Sequence, residues 1–183
     1  ADDWPQWRGP NRDGVWREIG VVDRFESEQL EIRWRAPIGA GYSGPTVAAG
    51  RVYVSDRVVE PKQIERIHCF DMKTGKLIWS HSYDCPYTIS YPAGPRACVT
   101  LNEGRAYSLG AMGHLFCFAA DTGQVLWKKD LQTEYKIRMP IWGIAAAPLI
   151  FDDQLIVQIG GSDGACIVSF DKRDGDLRWH ALD

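Results

Sequence analysis

The sequence predicts an all-β chain, part of a β-propeller made of four-stranded antiparallel blades. Three observations predict it. A ten-residue phrase occurs three times, at Phe70 to Trp79 (FDMKTGKLIW), Phe118 to Trp127 (FAADTGQVLW) and Phe170 to Trp179 (FDKRDGDLRW). Gly75, Gly123 and Gly175 stand 48 and 52 residues apart, and Trp79, Trp127 and Trp179 keep the same register. No stretch carries the apolar period of a helical layer, whereas eight tryptophans and 18 glycines suit short strands joined by turns. A period of roughly 50 residues is what one four-stranded sheet and its connections consume.

In order, residues 1–29 read as an irregular arm, a surface strap whose Trp4, Trp7 and Trp16 plug apolar grooves. Residues 22–30 have too little apolar periodicity for more than a turn or two of helix. Residues 30–36 (LEIRWRA) alternate with period two and end in tryptophan, so they predict an orphan outer strand with no partner strands before it. Blades follow at about 43–83, 97–130 and 145–182. Their strands fall near 45–49, 51–56, 64–71 and 76–83, then 97–101, 105–110, 114–119 and 124–130, then 145–151, 154–160, 165–171 and 176–182. The inner strands begin at equivalent places, Pro45, Cys98 and Pro148, and tight turns follow at Ala49-Gly50, Asn102-Glu103-Gly104 and Asp152-Asp153.

The phrase has a physical reading. Thr74-Gly75, Thr122-Gly123 and Asp174-Gly175 put glycine where a hairpin between third and fourth strands needs positive φ, and the polar residue before it can hold the turn backbone. Trp79, Trp127 and Trp179 then lie on outermost strands, where an indole can wedge between neighbouring sheets.

In these residues the chain resembles the pyrroloquinoline-quinone-type propeller repeat, an alanine or phenylalanine followed by Asp-x-x-Thr-Gly-x-x-x-Trp. Phe70 to Trp79 matches it, Phe118 to Trp127 has Ala119 for Asp, and Phe170 to Trp179 has Asp174 for Thr. The arm Asp3 to Asn11, Tyr91 to Ala97 and Trp142-Gly143 extend the resemblance to exported propeller proteins of planctomycete type, and to outer-membrane assembly scaffolds. The resemblance implies a ring of seven or eight blades, so these residues are expected to be the N-terminal part of a longer propeller. It implies an exported protein whose leader has been removed, a reading that the start at Ala1-Asp2-Asp3 fits. Three blades also leave inter-blade faces that predict self-association.

Composition narrows the function. The 183 residues are 45 % hydrophobic and 25 % charged, with net charge −3 and pI near 5.8, so neither nucleic acid nor an anionic membrane is the expected bulk partner. No apolar run approaches the roughly 18 residues of a membrane span.

Strand alternation puts the long connections, 84–96 and 130–144, on one face, and the phrase turns on the other. The long-loop face holds the ligand-binding candidates Tyr42, Ser43, Tyr91, Arg96, His114 and Trp142. Gly75, Trp79, Gly123, Trp127, Gly175 and Trp179 are structural repeat positions. The leading expectation is a non-catalytic scaffold that takes a protein or small ligand at this face; an alternative is a carbohydrate-binding module that uses Tyr42, Tyr91 and Trp142 as stacking surfaces for a glycan.

The resemblance also implies an alternative, a quinone-dependent alcohol or sugar dehydrogenase. Such enzymes use pyrroloquinoline quinone, calcium held by acidic and amide side chains, an aspartate base and an adjacent-cysteine disulfide. Cys69, Cys85, Cys98, Cys117 and Cys166 include no adjacent pair, and no Cys/His spacing suits zinc or attached haem. No catalytic or metal-binding residue is assigned, and no cofactor is evident. His68, His81 and His180 are scattered away from this face. Cys69 and Cys117 share a repeat position filled by Ser169 in the third copy, as expected of small packing residues, and Cys85 with Cys98 is the first disulfide to test.

Overall fold

The structure is a computed structural model that describes residues 2–25, 28, 30–88 and 93–183. Among the described residues, twelve strands form three antiparallel sheets, each a four-stranded meander in chain order. Blade one holds β1 (Thr46–Ala48), β2 (Arg51–Val58), β3 (Ile64–Asp71) and β4 (Leu77–Asp84). Blade two holds β5 (Thr100–Asn102), β6 (Arg105–Leu109), β7 (His114–Ala119) and β8 (Val125–Asp130). A single helical turn, α1 (Leu131–Glu134), follows β8. Blade three holds β9 (Leu149–Phe151), β10 (Gln154–Gln158), β11 (Ile167–Asp171) and β12 (Leu177–Ala181). Adjacent blades approach through their inner strands β1, β5 and β9, the arrangement of a partial propeller.

The core lies between sheets. Tyr53, Ile67 and Trp79 of blade one meet Val99, Ala106, Phe116 and Phe118 of blade two. Tyr107, Leu109 and Leu115 meet Leu155, Val157, Val168 and Phe170 of blade three. Alternate strand residues thus face the next blade, so each sheet is buried on both faces where two neighbours exist.

The phrase makes the same turn three times, while the third tryptophan, Trp179, is 40 % exposed and donates to Gln154 of its own blade. The oxygens of Thr74, Thr122 and Asp174 accept from the backbone N–H of Lys76, Gln124 and Asp176 at 3.3, 3.3 and 2.9 Å, and the following glycines have φ of 68, 74 and 80°. The tryptophan of one blade lies on the glycine of the next. Trp79 donates from Nε1 to the Ala120 carbonyl at 2.9 Å, and a Cβ added to Gly123 would stand 2.5 Å from its indole. Trp127 donates to the Lys172 carbonyl at 3.4 Å and covers Gly175. Tyr53 and Tyr107 donate to the same two carbonyls, at 3.1 and 2.9 Å.

Three expectations need correction. Residues 30–36 form no strand. Trp34 nevertheless donates to the Met72 carbonyl at 2.9 Å and covers Gly75, the same joint without the strand. Of the arm tryptophans only Trp4 is largely covered; Trp7 and Trp16 are 52 % and 60 % exposed, so neither is a buried plug. The third correction is α1, which aperiodic sequence concealed: Asp130 caps it by accepting from the Thr133 N–H and hydroxyl at 3.2 and 2.7 Å.

The arm runs along the inner edges of blades one and two. Asp3 accepts from the Ala49 N–H, Trp4 pairs through both backbone groups with Val47, and the Pro5 carbonyl accepts from Leu101 at 2.8 Å. Because it is antiparallel to β1, it climbs from the turn end of the blades to the loop end.

Candidate binding cleft

The loop end is assembled from the segment before β1 and from the β2–β3, β4–β5, β6–β7 and β8–β9 connections. Residues 39–43 are stitched down on both sides. Ala40 bridges Arg57 of β2, the N–H groups of Tyr42 and Ser43 donate to the Pro95 carbonyl at 2.8 and 3.1 Å, and the Ser43 hydroxyl donates to the Ser55 carbonyl at 2.9 Å. Gly94 is required here, since a Cβ would stand 2.5 Å from the Ala40 carbonyl oxygen.

Stitching brings three predicted residues together. The Arg96 guanidinium lies over the Tyr42 ring, 4.7 Å from its centroid, and Arg96 Nε donates to the Trp142 carbonyl at 2.6 Å. Trp142 is positioned by a turn at Gly143, φ 71°, beyond which the Ile144 N–H donates to Ala111 in the β6–β7 connection. Tyr42 and Trp142 each keep about half their surface in solvent, at 54 % and 52 %.

Beside this group is a cleft of about 480 Å³. Tyr42, Gly44, Arg96 and Cys98 form one side, Ala145 to Ala147 and Gln158 the other, and Trp7 and Arg12 of the arm close it. Such a volume suits a small ligand or a peptide end. Among the described residues the lining includes two guanidinium groups and no carboxylate. Burial pushes the Cys98 thiol above its ordinary value, so it stays protonated at neutral pH. A larger hollow of about 590 Å³ lies at the turn end between blades one and two, but its rim is mostly turn residues. Among its described residues the one aromatic, Tyr53, is committed to the Ala120 carbonyl.

The remaining candidates fall elsewhere. His114 opens β7, with Nδ1 3.8 Å from Cys85 Sγ and its ring 5.0 Å from that of Tyr83, and it does not line the cleft. Ser43 supports the cleft wall through Ser55. Tyr91 lies outside the described residues.

Sequence reasoning missed a buried polar layer beneath the loops of blade one. Glu65, fully buried, accepts from the Tyr87 hydroxyl at 2.7 Å and from that of Tyr83. Burial first, and then the Glu65 charge, raise both phenols far above their ordinary values, so they remain donors. Arg57 donates to Gln63 and the Tyr87 carbonyl, and its guanidinium lies 3.8 Å from the Tyr87 ring centroid. Asp56, also fully buried, accepts from Arg66, His68 and the Gly39 N–H. Ser80 bonds the other ring nitrogen of His68 at 3.0 Å. Because Asp56 is committed to Arg66 and Gly39, the row Ser80, His68 and Asp56 is a brace. The available signal was charge at strand positions that alternate with core residues. For Trp7 and Arg12 there was no local signal, because the cleft exists only once the arm is docked.

The cleft does not fit a quinone with calcium. All five cysteines are free, and among the described residues the lining offers no carboxylate to a cation and no group of three or more His, Cys, Asp or Glu could hold a metal ion. Among the described residues, no helix is long and apolar enough to cross a membrane.

Comparison with known proteins gives a consistent picture of the fold. A family model described as outer membrane protein assembly factor BamB matches residues 63–183. Similar solved structures include a europium-containing methanol dehydrogenase, at 20 % identity and TM-score 0.59, covering 81 % of this chain and 26 % of the dehydrogenase. Quinohemoprotein alcohol dehydrogenase from Comamonas testosteroni matches at 23 % identity and TM-score 0.57, covering 78 % of this chain and 21 % of its own. BamB from Moraxella catarrhalis matches at 17 % identity and TM-score 0.53, covering 82 % and 42 %. The chain therefore spans less than half the length of these structures, and at such identities the likeness is one of fold. No curated protein matches by sequence.

Proposed function

This chain belongs to the family of pyrroloquinoline-quinone-like propellers described as outer membrane protein assembly factor BamB, and from that premise we propose that it is a non-catalytic scaffold whose loop end holds a protein segment or small ligand. One observation carries the reading. Tyr42, Arg96 and Trp142 come from three separate connections and converge beside a cleft of about 480 Å³, with two of the rings half-exposed. Half-exposed aromatics around an arginine are the composition of interaction hot spots, where broad rings supply area and the guanidinium supplies direction. The rigid joints at the other end hold these loops in register. In this reading the protein works outside the cytoplasm, in keeping with the outer-membrane setting that the family description states.

The test is a peptide-display selection against the chain, read by calorimetry on Tyr42→Ala and Trp142→Ala. Selected binders are expected to lose roughly tenfold or more in affinity to each variant, the loss that removal of a hot-spot side chain brings. Binders indifferent to both changes would overturn the reading. So would turnover of an alcohol or sugar in a dye-linked assay that depends on added pyrroloquinoline quinone and calcium.

A further inference from the structure

The cleft is electrostatically unfinished. Arg12 enters it from the arm, and its Nη1 nitrogen is sealed from solvent without a hydrogen-bond acceptor. Withdrawing a cation's donor from water is costly unless an acceptor replaces the water. Asp13, its neighbour in sequence, cannot serve. Asp13 is held by Arg17 at 2.6 Å, and the Asp13 carbonyl accepts from Arg8 at 3.1 Å. Asp56 and Glu65 are committed to Arg66, His68, Tyr83 and Tyr87. Among the described residues no Asp or Glu lines the cleft, and Arg96, engaged by Tyr42 and Trp142, borders it as well.

Resting on the binding reading above, we propose that the cleft takes a carboxylate borne on a small aromatic or peptide body, with Arg12 as its countercharge. A guanidinium edge presents parallel donors that match the two oxygens of a carboxylate. A monoanion suits this site better than a phosphate dianion, because the wall formed by Ala145 to Ala147 returns little of the desolvation cost of a second charge. The body of the ligand lies against Trp7 and Tyr42, whose rings border the same space. Trp7 and Arg12 both belong to the arm, so binding also fastens the arm to the blades.

Three probes separate the sources of such a carboxylate: benzoate, the tripeptide Gly-Gly-Phe with a free carboxyl end, and the same tripeptide as its amide. Titrations of the whole chain would be followed by the indole N–H resonance of Trp7. Saturable binding of the free-acid tripeptide, with the amide roughly tenfold weaker or worse, is the expected result, since one charge-assisted hydrogen bond is lost. Benzoate binding with an indifferent tripeptide also supports the carboxylate and assigns it to a small molecule. Arg12→Met keeps the side-chain stem, and it is expected to abolish discrimination between acid and amide while leaving the Trp4 indole resonance in place. Arg12→Lys is expected to keep part of it. Acid and amide binding equally, with loss in Tyr42→Ala and Trp142→Ala, would overturn the carboxylate and leave the binding face standing. No saturable shift with either carboxylate would overturn the inference, while the display-selected binders separately decide the face itself.

Discussion

The two ends of the blades are built on different terms. At the turn end one joint recurs, an indole over a glycine with its N–H on a fixed carbonyl, at Trp34–Gly75, Trp79–Gly123 and Trp127–Gly175. At the loop end the described residues differ from blade to blade: blade one has a buried carboxylate under two phenols, blade two a histidine beside a thiol, and a capped turn follows β8. Repetition marks the end that must be alike for blades to stack. Variety marks the end that is free to specialise.

The largest expected effect breaks the repeated end. Trp79 is buried between blades one and two, so Trp79→Ala should cost about 3–5 kcal/mol. For a chain of this size each kcal/mol lowers the melting temperature by about 2–4 °C. Trp127 is less buried and its hydrogen bond is longer, 3.4 against 2.9 Å, so the same change there should cost less. Equal losses at the two positions, measured by urea unfolding, would show that the joints do not carry the difference assigned to them.

Asp56 tests whether the loop end has a stiffener of its own. Burial alone would raise its carboxyl, but hydrogen bonds from His68, Arg66 and Gly39 more than reverse this and hold it well below the usual carboxylate range. A folded value below the unfolded one means stability that is complete above the unfolded pKa, about 4, and lost as pH falls through the folded value. Asp56→Asn should cost roughly 3 kcal/mol at neutral pH, because Arg66 loses its countercharge beside buried groups. It should also flatten the acid limb of the stability profile. An unchanged acid limb in the variant would assign that limb to other carboxylates.

Gly123 sharpens the account of the joint by separating backbone strain from contact. At φ 74° any Cβ is disfavoured by about 1–2 kcal/mol, and this Cβ would also stand 2.5 Å from Trp79. Gly104 has the same φ with nothing within 4 Å, so Gly104→Ala measures the strain alone. Gly123→Ala should cost about 2–3 kcal/mol against about 1 for Gly104→Ala, and most of the excess should vanish when Trp79 is alanine.

Legibility in the sequence followed the same division. Glycine and tryptophan meet through contacts fixed within the repeated phrase, so Gly75, Trp79, Gly123, Trp127 and Gly175 could be placed by register alone. Trp34 holds the indole position of the repeated joint, but no strand forms around it, since a ladder needs a neighbour that periodicity does not supply. At the loop end Tyr42, Arg96 and Trp142 are legible as binding candidates on one face. Their convergence is not, because it depends on the Pro95 carbonyl and the Gly143 turn. Arg12 was hidden for a related reason: more than eighty residues separate it from Arg96, and only the path of the arm along β1 and β5 brings both to one cleft.

The smallest expected effect is the one most specific to the comparison. If the loop end is specialised for contact and the turn end for cohesion, removing a loop-end aromatic should scarcely change stability. Tyr42 and Trp142 keep about half their surface in solvent, at 54 % and 52 %, and each meets Arg96 through a ring face or a backbone carbonyl. Trp142→Ala preserves the carbonyl, and Tyr42→Ala removes a cation–π contact worth about 0.5–1 kcal/mol at an exposed site. Each variant should unfold within about 1 kcal/mol of the parent chain. A loss at Trp142 comparable to that at Trp79 would make the loop end a second cohesive layer, and its aromatics would then owe their place to packing.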